Sequence, residues 1–301
     1  METRSLIIRG DDLGLSHAIN QGYRRLAERG MITAWSIMAP CPWFMEAVEV
    51  AKEYPNVDLG MHLTLNAEWQ GYRWGPVLGP SRVPSLVDSF GYFHPNPLRF
   101  LDNPLSPSEV EAELRAQVER VLKAGLNLRY VDNSHCNCCA QFPMINEITN
   151  RIIADYKLQV SPFVFDPTTE VIASAPPTPA AKLEAFTQWL ALSPASEGYR
   201  FILVHAHLDT PEARALVLNS EFAIPFLQEF VPHAIAETEA LCTDEFQHQL
   251  QRQGYRLVRY RDLPSNQQLR ELPLMPREIV MQMFAMFGAS PELLAKLDGM
   301  R

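Results

Sequence analysis

Short apolar segments alternate with longer amphipathic segments along most of this 301-residue chain, and this alternation limits the folds it can adopt. The apolar segments have the length of buried strands, and the amphipathic segments have the 3.6-residue period of helices that cover a sheet. Because parallel strands need a crossover between them, the alternation predicts an α/β fold with a mostly parallel sheet. About seven strands within roughly 260 residues favour a single (β/α) barrel over an open sheet.

The individual elements follow from strand patterns and helix caps. Ser16 is expected to cap the first helix, which ends at Gly30. In the clearest helix, Ser106 is the predicted N-cap, Glu109 completes a capping box and Gly125 follows the last turn. Strands are predicted at residues 6–9, 32–38, 57–65, 128–132, 158–165, 200–205 and 255–260, and helices at residues 16–30, 42–54, 106–124, 144–156, 180–192, 222–253 and 277–287.

Residues 1–265 are predicted to form the barrel domain, and residues 266–301 a helical tail. The tail is rich in Met and Phe. It either packs on its own barrel or joins a partner chain, so a homodimer is one expectation. A loop of nearly forty residues, 66–103, interrupts the barrel. Loops longer than about 15 residues are usually functional or disordered, and the aromatic residues in this one argue against disorder.

Composition excludes several classes of partner. With 26 basic and 35 acidic residues, the chain has a formal charge of −9 and no basic patch, so no nucleic acid is expected. No apolar run reaches the ~18 residues of a membrane span, and the N-terminal apolar stretch is too short for a signal peptide. Three of the five cysteines, Cys136, Cys138 and Cys139, lie together. Free thiols in a reducing cytoplasm are the expectation.

Polar residues occur where the predicted strands end, which is the face of an α/β barrel that carries active sites. They are Asp11 and Asp12, His62, the segment 132–135, and His205 with His207. One Asp and two His suit Zn²⁺, and also Mn²⁺, Fe²⁺, Co²⁺ or Ni²⁺. A further carboxylate and imidazole could act as base and acid. Each residue alone has an ordinary structural interpretation, such as a turn or a core histidine, but their coincidence at one edge favours a site.

The order and spacing of these motifs resemble one family, the YdjC-like (ChbG/HpnK) carbohydrate deacetylases. The matching segments are IIRGDDLGLS at 7–16, LGMHLTL at 59–65, ELRAQ at 113–117, the turn at 132–135 and LVH at 203–205. The resemblance implies a distorted TIM-like (β/α) barrel related to polysaccharide deacetylases. It also implies metal-dependent removal of an acetyl group from an N-acetylated sugar, so a small acetylated carbohydrate is the expected substrate.

Carried over residue by residue, the resemblance assigns roles to five side chains. Asp12, His62 and His135 match the ligands of one divalent metal ion, for which the histidines favour Zn²⁺ and Mg²⁺ is also compatible. Asp11 matches the base that takes a proton from water, and His205 matches the acid that protonates the departing amine.

Three further residues, Arg73, Trp74 and His207, are expected to bind substrate. Trp74 would offer a flat apolar face to a sugar, with packing as the other interpretation, and Arg73 would meet a polar substrate group. His207 stands in a His-Ala-His segment where the family usually has His-Pro-Gly.

Other functions stay open at this point. In the fourth motif, Tyr130 and Asn137 replace histidines that the family commonly has, and Asn133 precedes Ser134. A non-catalytic metal- or carbohydrate-binding relative is therefore an alternative. A metal-dependent isomerase or amidohydrolase is a third, although no Lys or additional carboxylate could be placed beside the metal.

Overall fold

Within the part of the chain that the structure describes, seven parallel strands form the centre. The computed structural model describes residues 4–133, 135, 138–161, 170–192, 199–219, 229–286 and 289–299. The sheet order is β5-β4-β3-β2-β1-β6, and β7 also pairs with β1. The strands are β1 (Arg4–Leu13), β2 (Ala34–Ile37), β3 (Asp58–Met61), β4 (Tyr130–Asp132), β5 (Gln159–Ser161), β6 (Tyr199–Val204) and β7 (Tyr255–Leu257). The predicted α/β architecture with about seven parallel strands is confirmed.

Helices cover the outside of this sheet. They are α1 (His17–Glu28), α2 (Phe44–Glu53), α3 (Arg99–Asp102), α4 (Pro107–Lys123), α5 (Cys138–Gln141), α6 (Pro143–Tyr156), α7 (Glu170–Ser174), α8 (Pro179–Ala191), α9 (Pro211–Arg214), α10 (Phe230–Leu241), α11 (Asp244–Arg252), α12 (Arg277–Met286) and α13 (Pro291–Gly299). Within the described part of the chain, none of them is both long and apolar enough to cross a membrane.

The predicted helix caps are partly right. Ser16 caps α1, since its hydroxyl accepts a hydrogen bond from the Ile19 amide at 3.2 Å. The capping box predicted at the start of α4 is wrong, because Ser106 makes no side-chain cap bond there. Glu109 instead accepts from the Ser85 amide at 2.7 Å and so fastens the long loop to α4.

Several predicted elements end earlier than expected. The strand predicted at 57–65 stops at Met61, and the helical region predicted at 222–253 contains two helices, α10 and α11. Residues 162–165 of the fifth predicted strand, and 222–228 of that helical region, lie outside the described residues.

Strand β1 is buried on both faces, which explains its continuous apolar run. Leu6 and Ile8 belong to the large core between the sheet and the helices. Ile7 belongs to a second, smaller core inside the barrel, together with Tyr130 and Tyr260. The sheet curves enough for the Tyr260 hydroxyl, just after β7, to contact the hydroxyl of Ser161 in β5.

A bulge interrupts β1 where it reaches the site. The pairing of β1 with β2 shifts register between Gly10 and Leu13. Within that interval Asp12 has a left-handed backbone with φ of 67°. Successive side chains of a regular strand point to opposite faces, whereas a bulge re-aims them. The two adjacent aspartates can therefore face the same site.

The ELRAQ segment anchors the loop that follows β3. The carboxylate of Glu113 accepts hydrogen bonds from the backbone amides of Val77 and Leu78, at 2.9 and 3.0 Å. The side-chain amide of Gln117 bonds both the N–H and the C=O of Thr64, at 2.9 and 2.8 Å. Glu113 and Gln117 are fully buried. These side-chain bonds continue the support of the backbone beyond the end of β3, and they fix the segment that begins with His62.

The C-terminal helices pack on the chain's own core. Val280 and Phe284 of α12 are buried in it, and the ring of Phe284 lies 5.9 Å from that of Phe142. In α13, Lys296 pairs with Asp102 of α3 at 2.9 Å. The division at residue 265 and the homodimer stay predictions.

Gln117→Ala is expected to lower the free energy of unfolding by about 2–4 kcal/mol, because it leaves a buried N–H and a buried C=O without partners. Chemical denaturation measures the change. Gln247→Ala, at an exposed position of α11, is the matched control and should change stability by less than about 0.5 kcal/mol. Equal effects of the two variants would contradict the anchoring role.

Candidate metal centre and active site

Asp12 lies at the centre of the candidate site. Its Oδ1 atom is buried and, among the described residues, has no hydrogen-bond partner. The nearest basic atoms are Nε2 of His62, at 3.4 Å, and Nε2 of His135, at 3.9 Å. The structure thus brings together the three residues predicted as metal ligands.

The opposite nitrogens of the two imidazoles are held by oxygen atoms. Nδ1 of His62 lies 2.8 Å from Asp132 Oδ2, and Nδ1 of His135 lies 3.1 Å from Asn66 Oδ1. An acceptor at Nδ1 keeps the proton of a neutral ring there and leaves the lone pair on Nε2. Two such lone pairs would face the unpartnered oxygen of Asp12, so these side chains fit a divalent cation.

Charge at the site also favours a cation. Burial alone would lower the pKa of His62, but the charges of Asp132 and Asp11, the close contact with Asp12 and the hydrogen bond with Asp132 raise this pKa to about 10. Burial opposes ionisation of Asp12 too, yet its close contact with His62 and the charges of His135 and His205 hold its pKa below the ordinary value. Without a metal, the site therefore retains a proton on His62 at neutral pH.

Asp11 is oriented by a buried arginine. Its Oδ1 and Oδ2 accept hydrogen bonds from Nε and Nη2 of Arg9, at 2.8 and 2.9 Å. Arg9 also donates to Ser161 Oγ at 2.6 Å, and its guanidinium lies over the ring of Phe201. The hydroxyl of Tyr23 contacts the Asp11 carbonyl. Both the side chain and the backbone of Asp11 are thus fixed.

A second group of residues could also hold a metal ion. Asp11, His62 and Asp132 each offer one ligand atom, and these atoms lie within 4.8 Å of one another. However, the Asp11 carboxylate is already paired with the positive charge of Arg9, and Asp132 already bonds Nδ1 of His62. The unpartnered oxygen of Asp12 makes the set Asp12, His62 and His135 the better candidate.

His205 and His207 lie on the other side of Asp12. His205 Nε2 is 3.9 Å from Asp12 Oδ2, and its side chain is 27% exposed, so substrate can reach it. His207 is buried, with Nδ1 3.0 Å from the His205 carbonyl. Burial and the neighbouring His205 lower the pKa of His207 to about 4. The ring of Phe230 packs against both imidazoles.

The two loop residues predicted to bind substrate differ in placement. Trp74 reaches the site, where its ring meets that of His135 edge-on at 5.9 Å, but it is only 2% exposed. Its contacts there are packing contacts. Arg73 donates to Asp88 at 2.7 Å and to the Phe93 carbonyl, so its described bonds lie within the loop. Their substrate roles stay predictions.

The altered fourth motif has a structural explanation at Tyr130. This side chain fills the barrel interior, where its ring lies 4.6 Å from that of Tyr260 and its hydroxyl 3.0 Å from Ser36 Oγ. Gly60 provides the space, since a Cβ there would lie 2.1 Å from the Tyr130 ring. Asn137 lies outside the described residues.

Sequence reasoning missed three residues of the site. Arg9 lies within the first motif, and a charged residue inside an apolar strand is the signal that could have marked it. Asn66 and Glu68 follow His62 by four and six residues, at the start of the long loop. Nothing in their local pattern distinguishes them from ordinary loop residues.

Comparisons with known proteins agree with this architecture. A profile of the family described as YdjC-like protein matches residues 5–252. A Listeria monocytogenes (serotype 4b, strain CLIP80459) protein named carbohydrate deacetylase is 28% identical over 270 residues, covering 86% of this chain and 99% of that protein. A Brevibacillus brevis protein of the same name is 34% identical over 163 residues, covering 53% of this chain and 60% of that protein.

A solved structure shows the same fold. It is the crystal structure of a candidate cellobiose-phosphate cleavage protein from Enterococcus faecalis V583, with a TM-score of 0.69 and 24% identity. The match covers 86% of this chain and 98% of that one.

Metal affinity is expected to rise with pH between about 6.5 and 10. Below its pKa of about 10, His62 holds a proton that a metal ion must displace. The association constant should therefore increase at least about tenfold per pH unit, as one displaced proton requires. Calorimetric titration with Zn²⁺ in matched buffers measures this slope. His248→Gln, at an exposed position, should show the same dependence of affinity on pH. A metal affinity that does not change with pH would contradict the role of His62 as a ligand.

Proposed function

This chain belongs to the YdjC-like protein family, and from that premise we propose that it is a metal-dependent hydrolase that removes an acetyl group from an N-acetylated sugar. The observation that carries the proposal is the unpartnered Oδ1 of Asp12, which lies within 4 Å of Nε2 of both His62 and His135. Relatives named carbohydrate deacetylase support the reaction and the substrate class. A small acetylated carbohydrate is the proposed substrate.

Asp12, His62 and His135 would hold one divalent ion. Two imidazoles and one carboxylate favour Zn²⁺ over Mg²⁺. Such an ion supplies Lewis acidity to a carbonyl group and to water. Asp132 and Asn66 hold the two rings in the tautomer that coordination requires.

Asp11 is proposed to take a proton from the attacking water. A carboxylate offers about four lone-pair sites, and the two hydrogen bonds from Arg9 leave acceptor capacity on both oxygens. Arg9 fixes the direction in which the remaining lone pairs of Asp11 point, and a general base needs this orientation before substrate binds.

His205 is proposed to protonate the departing amine. It is the partly exposed imidazole of the site, and Asp12 Oδ2 lies 3.9 Å from its Nε2. His207 contacts the backbone of His205, and because its pKa is about 4 it stays neutral at pH 7. His207 therefore adds no positive charge next to His205.

Acetate release from a panel of N-acetylated mono- and disaccharides tests this function. The unaltered protein should release acetate, lose activity after chelation and regain it with Zn²⁺. His62→Ala should lose both bound metal and activity, whereas His248→Ala, at an exposed helix position, should keep both. Stoichiometric metal without acetate release from any sugar would favour a non-catalytic binding relative instead.

Asp11→Asn should retain bound metal but lower kcat by a factor of about 10²–10⁴, the range typical of general-base removal. KM should change little, since the amide keeps the size of the side chain. Steady-state kinetics with metal analysis of the same sample measures both. An unchanged kcat would remove Asp11 from the role of base.

A further inference from the structure

Glu68 places a buried carboxylate beside the candidate metal centre. It is 5% exposed, and its Oε1 lies 3.1 Å from Nε2 of His135. Its backbone is held from across the site, since the Glu68 carbonyl accepts from the Asn219 amide at 2.8 Å and the Gln70 amide donates to the Val217 carbonyl at 2.7 Å. The position of this carboxylate is therefore set by the fold.

Within the described residues, no Lys or Arg forms an ion pair with Glu68. Its contacts are His135 and, at 3.5 Å, the side-chain amide of Asn66. A buried carboxylate is unfavourable unless a cation or hydrogen bonds compensate it. The shorter of the two contacts joins Glu68 to Nε2 of His135, the nitrogen that faces the candidate metal centre.

Coordination by His135 would place a metal ion beside Glu68. Nδ1 of His135 faces the Asn66 oxygen, so Nε2 is the nitrogen available for a metal. The same Nε2 faces Glu68 and cannot bind an ion and donate a proton at once. When His135 coordinates through Nε2, the ion is the cation nearest to the Glu68 carboxylate.

We propose that Glu68 is a fourth protein ligand of the metal, in addition to the three on which the proposed function rests. Adjacent ligand atoms around an ion with bonds of about 2.0–2.2 Å lie roughly 3.0–3.6 Å apart. The separations of 3.1 Å from Glu68 to His135 and 3.4 Å from Asp12 to His62 lie in this range, and the 3.9 Å from Asp12 to His135 lies just above it, so these side chains would move closer together around a shared ion. Two carboxylates also balance the charge of a divalent ion, which Asp12 alone does not.

Metal titration of the full-length protein, stripped of metal, tests the proposal. Glu68→Gln should weaken Zn²⁺ and Co²⁺ binding at least about tenfold by calorimetry. The visible absorption of the Co²⁺-loaded variant should also differ from that of the unaltered protein, because the ligand set changes. Glu49→Gln removes the same charge at an exposed position of α2 and should change neither property.

The outcomes separate this proposal from the proposed function. Unchanged affinity in Glu68→Gln would overturn the ligand role, and so would weaker binding with an unchanged Co²⁺ spectrum, which indicates an effect of charge alone. If Glu68→Gln does not fold, Glu68→Asp keeps the charge on a shorter side chain and should show the same spectral change with a smaller loss of affinity. Metal binding with no acetate release would overturn the hydrolase but leave the Glu68 result standing, and no binding by the unaltered protein would overturn both.

Discussion

The bulge in β1 is the constraint on which the site depends. In a regular strand Asp11 and Asp12 would point to opposite faces, and only one could reach the barrel mouth. The register shift and the left-handed backbone at Asp12 bring both carboxylates close to His62. Aspartate tolerates this conformation better than most residues because its short side chain can bond locally. Here the strained backbone coincides with the unpartnered oxygen, as expected where function maintains strain.

The groups beneath the aspartates give this arrangement its rigidity. Arg9 is completely buried, which would be costly for an unpaired cation. Asp11, Ser161 and the ring of Phe201 compensate it, so one guanidinium links β1 to β5 and β6 across the barrel interior. A side chain fixed in this way holds Asp11 in one orientation before substrate binds, and preorganisation of this kind is what a precise site requires.

The fold and the edge that carries the polar residues could be predicted because they follow from local sequence. Apolar runs predict the strands, and polar residues at the ends of those runs predict the edge where Asp12, His62 and His205 meet. The ends of the strands are harder to predict. Just beyond the end of β3, the backbone of Thr64 bonds the side chain of Gln117 in α4, which is fifty-three residues away in sequence. The capping box at Ser106 failed for the same reason, because Glu109 finds a partner in a distant loop.

Glu68 could not be predicted from its neighbours because its role is set by contacts between distant segments. The segment 66–70 is fastened to residues 217–219 by backbone bonds, while His135 arrives from the end of β4. Only where these three segments meet does the Glu68 carboxylate face Nε2 of His135. A carboxylate and a nitrogen lone pair repel each other unless a cation lies between them. Oδ1 of Asp12 faces Nε2 of His62 in the same way. The site therefore combines buried negative charge with nitrogen lone pairs, and the proposed divalent cation would satisfy several of them at once.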